Sequence, residues 1–489
     1  MRGLLAALLL LLLVFPGQAS AHAALVRSFP AQGQSLDHAP PELEVEFNEP
    51  VAAEFTPLVV RNTRGERVDQ GDAALDPRSR NRATVSLKPL PEGLYTAVYR
   101  VASLDGHPIE GTIAFAVGTV VEATETPAPP KTPPAVSIAH GVALLLACLL
   151  AGLPLATGGA VRKRWGLALL GALAVTGLVE LSLYAVRASG EPWSVPLLAK
   201  VLTQTRVGFL WVARLGLVWV TTRKPKSLTI PAAAAVLLTF SLQSHAMATG
   251  NALPVITDWL HLLALAPWAG GLLGFALDPR PDLVPRFSKI AAASVLVLIL
   301  TGIYSASLHL PSAAALTATG YGRALLAKLA LLAPVLALAA YHLIKKGHGP
   351  FRLTVRGELA LMTGIFVAAG FLSTMPPAGV EIALKQGPFS ETATADGYPV
   401  TLTITPARLG FNQAVTNMEA GANVDLRLTM LSHDMGTQSV DAVETAPGTY
   451  LARDVILGMP GEWRVEVVAL TKGGREIRTA FQVTIPSPP

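Results

Sequence analysis

A single cysteine, Cys148, stands in this chain of 489 residues, and it lies inside an apolar run. One thiol excludes a disulfide framework and any cysteine-pair metal motif, so a metal site must draw on His, Met, Asp, Glu or a chain terminus. Charge is scarce as well. Only 15% of the residues are charged against 51% hydrophobic, which excludes an ordinary soluble enzyme and asks for a membrane protein with soluble appendages. The formal charge of +5 does not mark a nucleic-acid binder, because the excess sits in short loops between apolar segments, where it reports topology. No phosphate-loop motif is present, which argues against ATP-driven pumping. Methionine is missing from His22 to Pro134, so that stretch offers no thioether ligand.

What is present begins with an export signal. Arg2, an apolar core from Leu4 to Phe15 and the small residues Ala19-Ser20-Ala21 read as a signal peptide over residues 1–21. Cleavage there leaves His22 as the first residue. An N-terminal histidine supplies an α-amine and an imidazole nitrogen together, a chelate suited to the tetragonal nitrogen and oxygen preference of Cu(II). Asp105 and His107 flank Gly106 at a spacing that, in extended backbone, turns both side chains to one face. A polar turn is the plain alternative for that pair.

Residues 22–118 alternate apolar and polar positions in short runs separated by Pro, Gly and Asp, which predicts a small antiparallel β-sandwich or barrel. A proline-rich linker follows over 119–137. From 138 to 375 we read about eight spans of bilayer length, near 138–158, 166–187, 206–222, 229–248, 256–277, 289–309, 323–344 and 356–375. Alternate loops are basic, so the positive-inside rule puts them in the cytoplasm and both chain ends outside. After a linker over 376–394, residues 395–489 predict a β-sandwich. The fold class is thus a multidomain membrane protein: a β domain, a helical membrane bundle and a second β domain, the soluble domains extracytoplasmic.

This topology gathers His140, His245, His261 and His309 in one leaflet, where ionisable side chains face a cavity, a partner or a transported ion. Interfacial anchoring is the plain reading of each alone. Glu180, Arg214 and Lys328 also fall within spans; a buried ion pair accounts for them, and Glu180 as a proton or cation carrier is the alternative. In the last domain Met430, His433, Met435 and Met459 are candidates for Cu(I), with Met418 nearby, and core filling is the alternative.

Three resemblances bear on these residues. The opening His22-Ala23-Ala24-Leu25-Val26-Arg27-Ser28-Phe29-Pro30, the strand Leu43–Val51 and the segment Ser103–Gly111 resemble the CopC copper-binding domain. That resemblance implies a Cu(II) site at the His22 amine and imidazole, Asp105 and His107. Ser244-His245-Ala246 and the run Thr257–Leu272 resemble the CopD membrane domain, which implies copper movement past His245 and His261. The stretch Leu426–Trp463 resembles the YtkA-like domain. The three in this order resemble fused copper-acquisition proteins of the cell membrane. The implied partners are copper ions, the lipid bilayer and an extracytoplasmic copper chaperone, without nucleic acid. Two further readings stay open: copper resistance by sequestration, and a haem-ligating cupric reductase built on paired histidines, the one reading that makes this chain an enzyme.

Overall fold

The computed structural model describes residues 25–485 apart from 31–33, 37, 48, 54, 104, 119–131, 157–158, 224–225, 279–283, 346–350, 386–388, 406, 408–409, 419–420, 432–435, 460 and 472–473. The signal peptide, His22, His433 and Met435 therefore lie outside the described residues. The chain divides into two compact units. Among the described residues, one takes 132–381 together with the loop 103–108, and the other takes 25–102, 109–118 and 382–485.

The predicted N-terminal β domain is a sandwich of two four-stranded sheets. One sheet joins β1 (Leu25–Phe29), β3 (Glu42–Phe47), β6 (Arg82–Ser86) and β5 (Ala74–Leu75) in that order. The other joins β2 (Ser35–Leu36), β8 (Pro108–Val117), β7 (Gly93–Ala102) and β4 (Leu58–Asn62). Alternation explains the layers: in β3, Leu43, Val45 and Phe47 are buried while the glutamates between them point outward. Burying these alternate residues of both sheets against one another makes the core, with Phe115 and Ile113 from β8.

The C-terminal β domain is one antiparallel sheet of eight strands, β9 (Phe389–Ala395), β10 (Tyr398–Thr405), β11 (Gly410–Asn417), β12 (Gly421–Met430), β13 (Thr437–Ala446), β14 (Thr449–Leu457), β15 (Gly461–Thr471) and β16 (Glu476–Ile485). The order runs β16-β15-β12-β13-β14-β11-β10-β9, and the two ends of the order approach each other. The β-sandwich expected from sequence is built from one continuous sheet curled almost into a barrel, which leaves little open edge. Its first strand starts at Phe389, inside the stretch read as linker, because Ala393 and Ala395 pack against or join the same core.

The helical unit contains α1 (Pro134–Ala156), α2 (Gly159–Ser189), α3 (Val195–Gln204), α4 (Arg206–Arg223), α5 (Lys226–Ser241), α6 (His245–Ala248), α7 (Ala252–Leu277), α8 (Val284–His309), α9 (Ala315–Ala318), α10 (Gly320–Lys345) and α11 (Phe351–Thr374). A last helix, α12 (Ala378–Lys385), also lies within the stretch read as linker. Six helices are long and apolar enough to cross a membrane among the described residues, and Leu228–Ser241 is a shorter apolar one. All eight predicted spans correspond to helices, with one refinement. The fourth was read as 229–248, but its helix stops at Ser241 and a turn carries the chain into α6, so His245 begins a short helix of its own.

Backbone contact sets the centre of the bundle. A Cβ on Gly152 would fall 1.8 Å from the Ala266 carbonyl oxygen, and one on Gly270 would fall 2.2 Å from the Gly152 carbonyl carbon. Glycine at both positions lets α1 lie against α7 at main-chain distance, as small residues do in membrane helix pairs. Gly141 and Gly370 play the same part where α1 meets α11.

Candidate metal centre

The loop after β7 is closed by its own backbone. Ser103 N–H donates to the His107 carbonyl at 3.0 Å and Gly106 N–H donates to the Ser103 carbonyl at 2.9 Å. Gly106 has φ of +86°, the left-handed region that glycine adopts without strain. The backbone here is a turn and not the extended segment assumed from the spacing, and it places Asp105 and His107 side by side.

Asp105 is fully buried in its side chain, and its two oxygens have separate neighbours. Oδ1 accepts the Ser103 hydroxyl and, at 3.0 Å, the His107 N–H. Oδ2 lies 3.0 Å from His107 Nδ1 and 3.3 Å from His245 Nδ1. The three side chains bring one ligand atom each within 4.8 Å of one another.

The tautomer of His245 follows from its other nitrogen. Nε2 sits 3.0 Å from the Leu372 carbonyl oxygen and 3.1 Å from that of Met375. Both are acceptors, so Nε2 carries the proton and Nδ1 presents a lone pair towards Asp105 Oδ2. Two lone pairs facing each other at this distance need a positive charge between them, a proton or a metal ion. Holding a ring N–H against a backbone carbonyl is also how metal-binding histidines are oriented. The donor set, two imidazoles and a carboxylate, fits a borderline divalent ion of the Cu(II) or Zn class better than a hard cation.

The other predicted membrane residues are distributed around this cluster. The His309 ring lies 5.7 Å from that of His245 and 6.0 Å from that of Tyr321. His140 Nδ1 is 2.8 Å from Glu180 Oε1, and that pair shares a cavity of about 90 Å³ with Asp105, His107 and Arg214. His261 stands apart from the cluster, with Nδ1 2.8 Å from the Thr301 hydroxyl.

The ion pair expected among Glu180, Arg214 and Lys328 is not a direct one. Glu180 takes His140. Arg214 donates from Nε to Thr239 at 2.9 Å, reaches Gln243, and lies 3.6 Å above the Phe240 ring, so a hydroxyl, an amide and an aromatic face carry its hydrogen bonds and charge. Lys328 is in electrostatic range of Asp258 instead. Asp258 lies beside the Ser241 and Ser244 side chains and within range of His245. It was overlooked in the sequence, although an acidic residue inside a span is the signal that singled out Glu180.

The C-terminal candidates do not form a described cluster. Met430 is buried in the apolar core with Met418, where a methionine serves as filler. Met459 is 40% exposed, and its carbonyl accepts the Trp463 indole N–H at 2.9 Å.

Comparison with known proteins adds matches for two segments. Residues 25–118 match the family model of the CopC domain, and residues 281–372 match that of Copper resistance protein D, CopD. Along 98% of both chains the protein is similar, at 28% identity, to Copper transport protein CutJ of Bacillus subtilis (strain 168). It is 30% identical to Protein YobA of Escherichia coli (strain K12) over 20% of this chain and 79% of that one. The crystal structure of CopC from Methylosinus trichosporium OB3b is 24% identical and covers 21% of this chain and 100% of its own, with a TM-score of 0.19.

Proposed function

This chain unites a CopC domain with a CopD domain and belongs to that copper-protein family, and from that premise we propose that it captures extracytoplasmic Cu(II) and passes copper inward through the helical bundle. Copper handling follows from the family. The capture residues, the membrane path and the direction are our reading.

The observation that carries it is the meeting of Asp105 and His107 with His245. The first two belong to the segment that matches CopC. His245 stands at the head of α6, between α5 and α7 of the helical unit. An ion held at Asp105 Oδ2 and His107 therefore already touches a bundle ligand, and transfer needs an exchange of ligands and no long diffusion. In this reading the His22 amine and imidazole complete the capture site from the chain terminus. His309, beside His245, and the His140–Glu180 pair, which shares a cavity with Asp105 and His107, are the next donors, followed by His261. The Cu(II) preference comes from the all-nitrogen-and-oxygen donor set. An extracytoplasmic chaperone is the expected source of the ion.

The arrangement favours movement over the two other readings. Sequestration needs no ligand from the helical unit. A haem would need two imidazoles aimed at one iron, whereas His245 turns to Asp105 and two carbonyls while His261 turns to Thr301. The C-terminal domain is read as YtkA-like and as facing the same side as the capture site.

The test is total cell copper at limiting supply, in cells with the intact chain, with His245→Ala, or with neither. Import predicts copper raised only by the intact chain. Copper lowered, or raised equally by the variant, would contradict inward movement through His245.

A further inference from the structure

A further buried imidazole and carboxylate lie at the far end of the bundle. His342 ends the apolar part of α10, Glu358 stands in the first turns of α11, and Nε2 and Oε1 are 3.5 Å apart. Glu358 is only 2% exposed. The two residues border a cavity of about 250 Å³ whose other walls include Trp268, Leu272, Phe275 and Phe287. An ionisable side chain in such surroundings is costly and is found where it meets a cavity, a partner or an ion.

Their position relative to the first cluster follows from the helices. Leu372, whose carbonyl holds His245, is on α11 with Glu358, and the two are roughly 20 Å apart at the rise of an α-helix. Tyr321, beside His309, is on α10 with His342, roughly 30 Å away by the same measure. The bundle thus has a His–carboxylate group at each end.

We propose that His342 and Glu358 form a second copper site, the last foothold of the ion before it leaves the bundle. This rests on the capture reading above. Ion passage requires sites strong enough to accept the ion and weak enough to release it, and the two ends differ in that sense. The Asp105 cluster offers three side-chain donors with a fixed imidazole, whereas His342 and Glu358 offer two. The Glu358 carboxylate offsets part of the ion's charge. The cavity has room for several waters at about 30 Å³ each to fill the remaining positions, and apart from His342 and Glu358 only Ser288 among its lining residues carries a polar side chain.

The experiment uses the full chain in lipid nanodiscs, titrated with Cu(II), which suits an imidazole and carboxylate pair. The wild type binds a tight ion and one further ion on the order of 100-fold more weakly. Glu358→Gln, nearly isosteric, loses the weaker ion and keeps the tight one, and His342→Asn does the same. Asp105→Ala gives the opposite pattern. Retention of the weaker ion in both Glu358→Gln and His342→Asn overturns the proposal. Loss of neither ion in Asp105→Ala overturns the capture reading alone, since the inner site is judged by its own variants. Matching thermal melting of apo wild type and Glu358→Gln separates loss of the ion from loss of the fold.

Discussion

Asp105 works with both oxygens, and that division sets its tolerance to change. Oδ1 is held by the Ser103 hydroxyl and the His107 N–H, which leaves Oδ2 for the imidazoles. Removing the Ser103 hydroxyl should loosen the carboxylate without unfolding the loop. Partners that orient a metal ligand are typically worth 10–100-fold in affinity, so Ser103→Ala is expected to weaken Cu(II) binding by about 10-fold. Gly106→Ala should do more. Its φ of +86° is unfavourable for alanine, and the new Cβ would meet Val207 Cγ2 at 2.9 Å. Competition with a chelator of known affinity measures both, and a Gly106→Ala protein that binds as well as the Ser103→Ala one would show that the turn does not govern the site.

At the scale of elements, two contacts carry separate expectations. The α1–α7 pair touches backbone to backbone at Gly152 and Gly270, so there is no flexible side chain to move aside. Gly152→Val should therefore part the two helices and abolish a monodisperse, folded protein in detergent, seen as loss of the main gel-filtration peak. Gly171→Ala, with open space at its Cβ, should leave that peak unchanged. In the C-terminal sheet, Asp425 of β12 faces Asp441 of β13 in register. Burial, and next to it the neighbouring Asp441 charge, holds the Asp425 carboxyl above the ordinary aspartate value. A raised folded-state value means that the folded form binds the proton more tightly than the unfolded one. Stability from this group is then present at acid pH and lost as pH rises through the raised value. Like charges directly opposite are unfavourable by a fraction of about 1 kcal/mol. Asp441→Asn should thus slow amide hydrogen exchange in β12 and β13 at pH 7 and have little effect below pH 4. Faster exchange at pH 7 would contradict this.

For the whole molecule, periodicity and hydropathy made most of the architecture legible, since the alternation in β3 and the long apolar runs of the bundle each obey one simple rule. Asp105 and His107 drew notice by their closeness in sequence, but the turn that joins them was read only as the alternative to extended backbone. Their meeting with His245 was not legible, because it joins residues far apart in the chain, and neither composition nor spacing encodes that distance. The break before His245 was hidden for a related reason: Ser241 to Ser244 is a short polar turn inside an otherwise continuous apolar stretch. Glu180 was visible as an oddity in its span, but its choice of His140 over Arg214 depends on which faces of α1, α2, α4 and α5 meet. The closed form of the C-terminal sheet depends likewise on the pairing of its outermost strands.

The account stands on one copper ion shared between the turn and the bundle, and the affinity of the mature full chain for Cu(II) tests it most directly when wild type and His245→Ala are compared. A ligand supplied by His245 predicts a loss of about 100-fold in the variant, at or beyond the upper range for an orienting partner. Equal affinity would mean that Asp105, His107 and the chain terminus hold the ion alone, and the capture site would then have no ligand in the membrane.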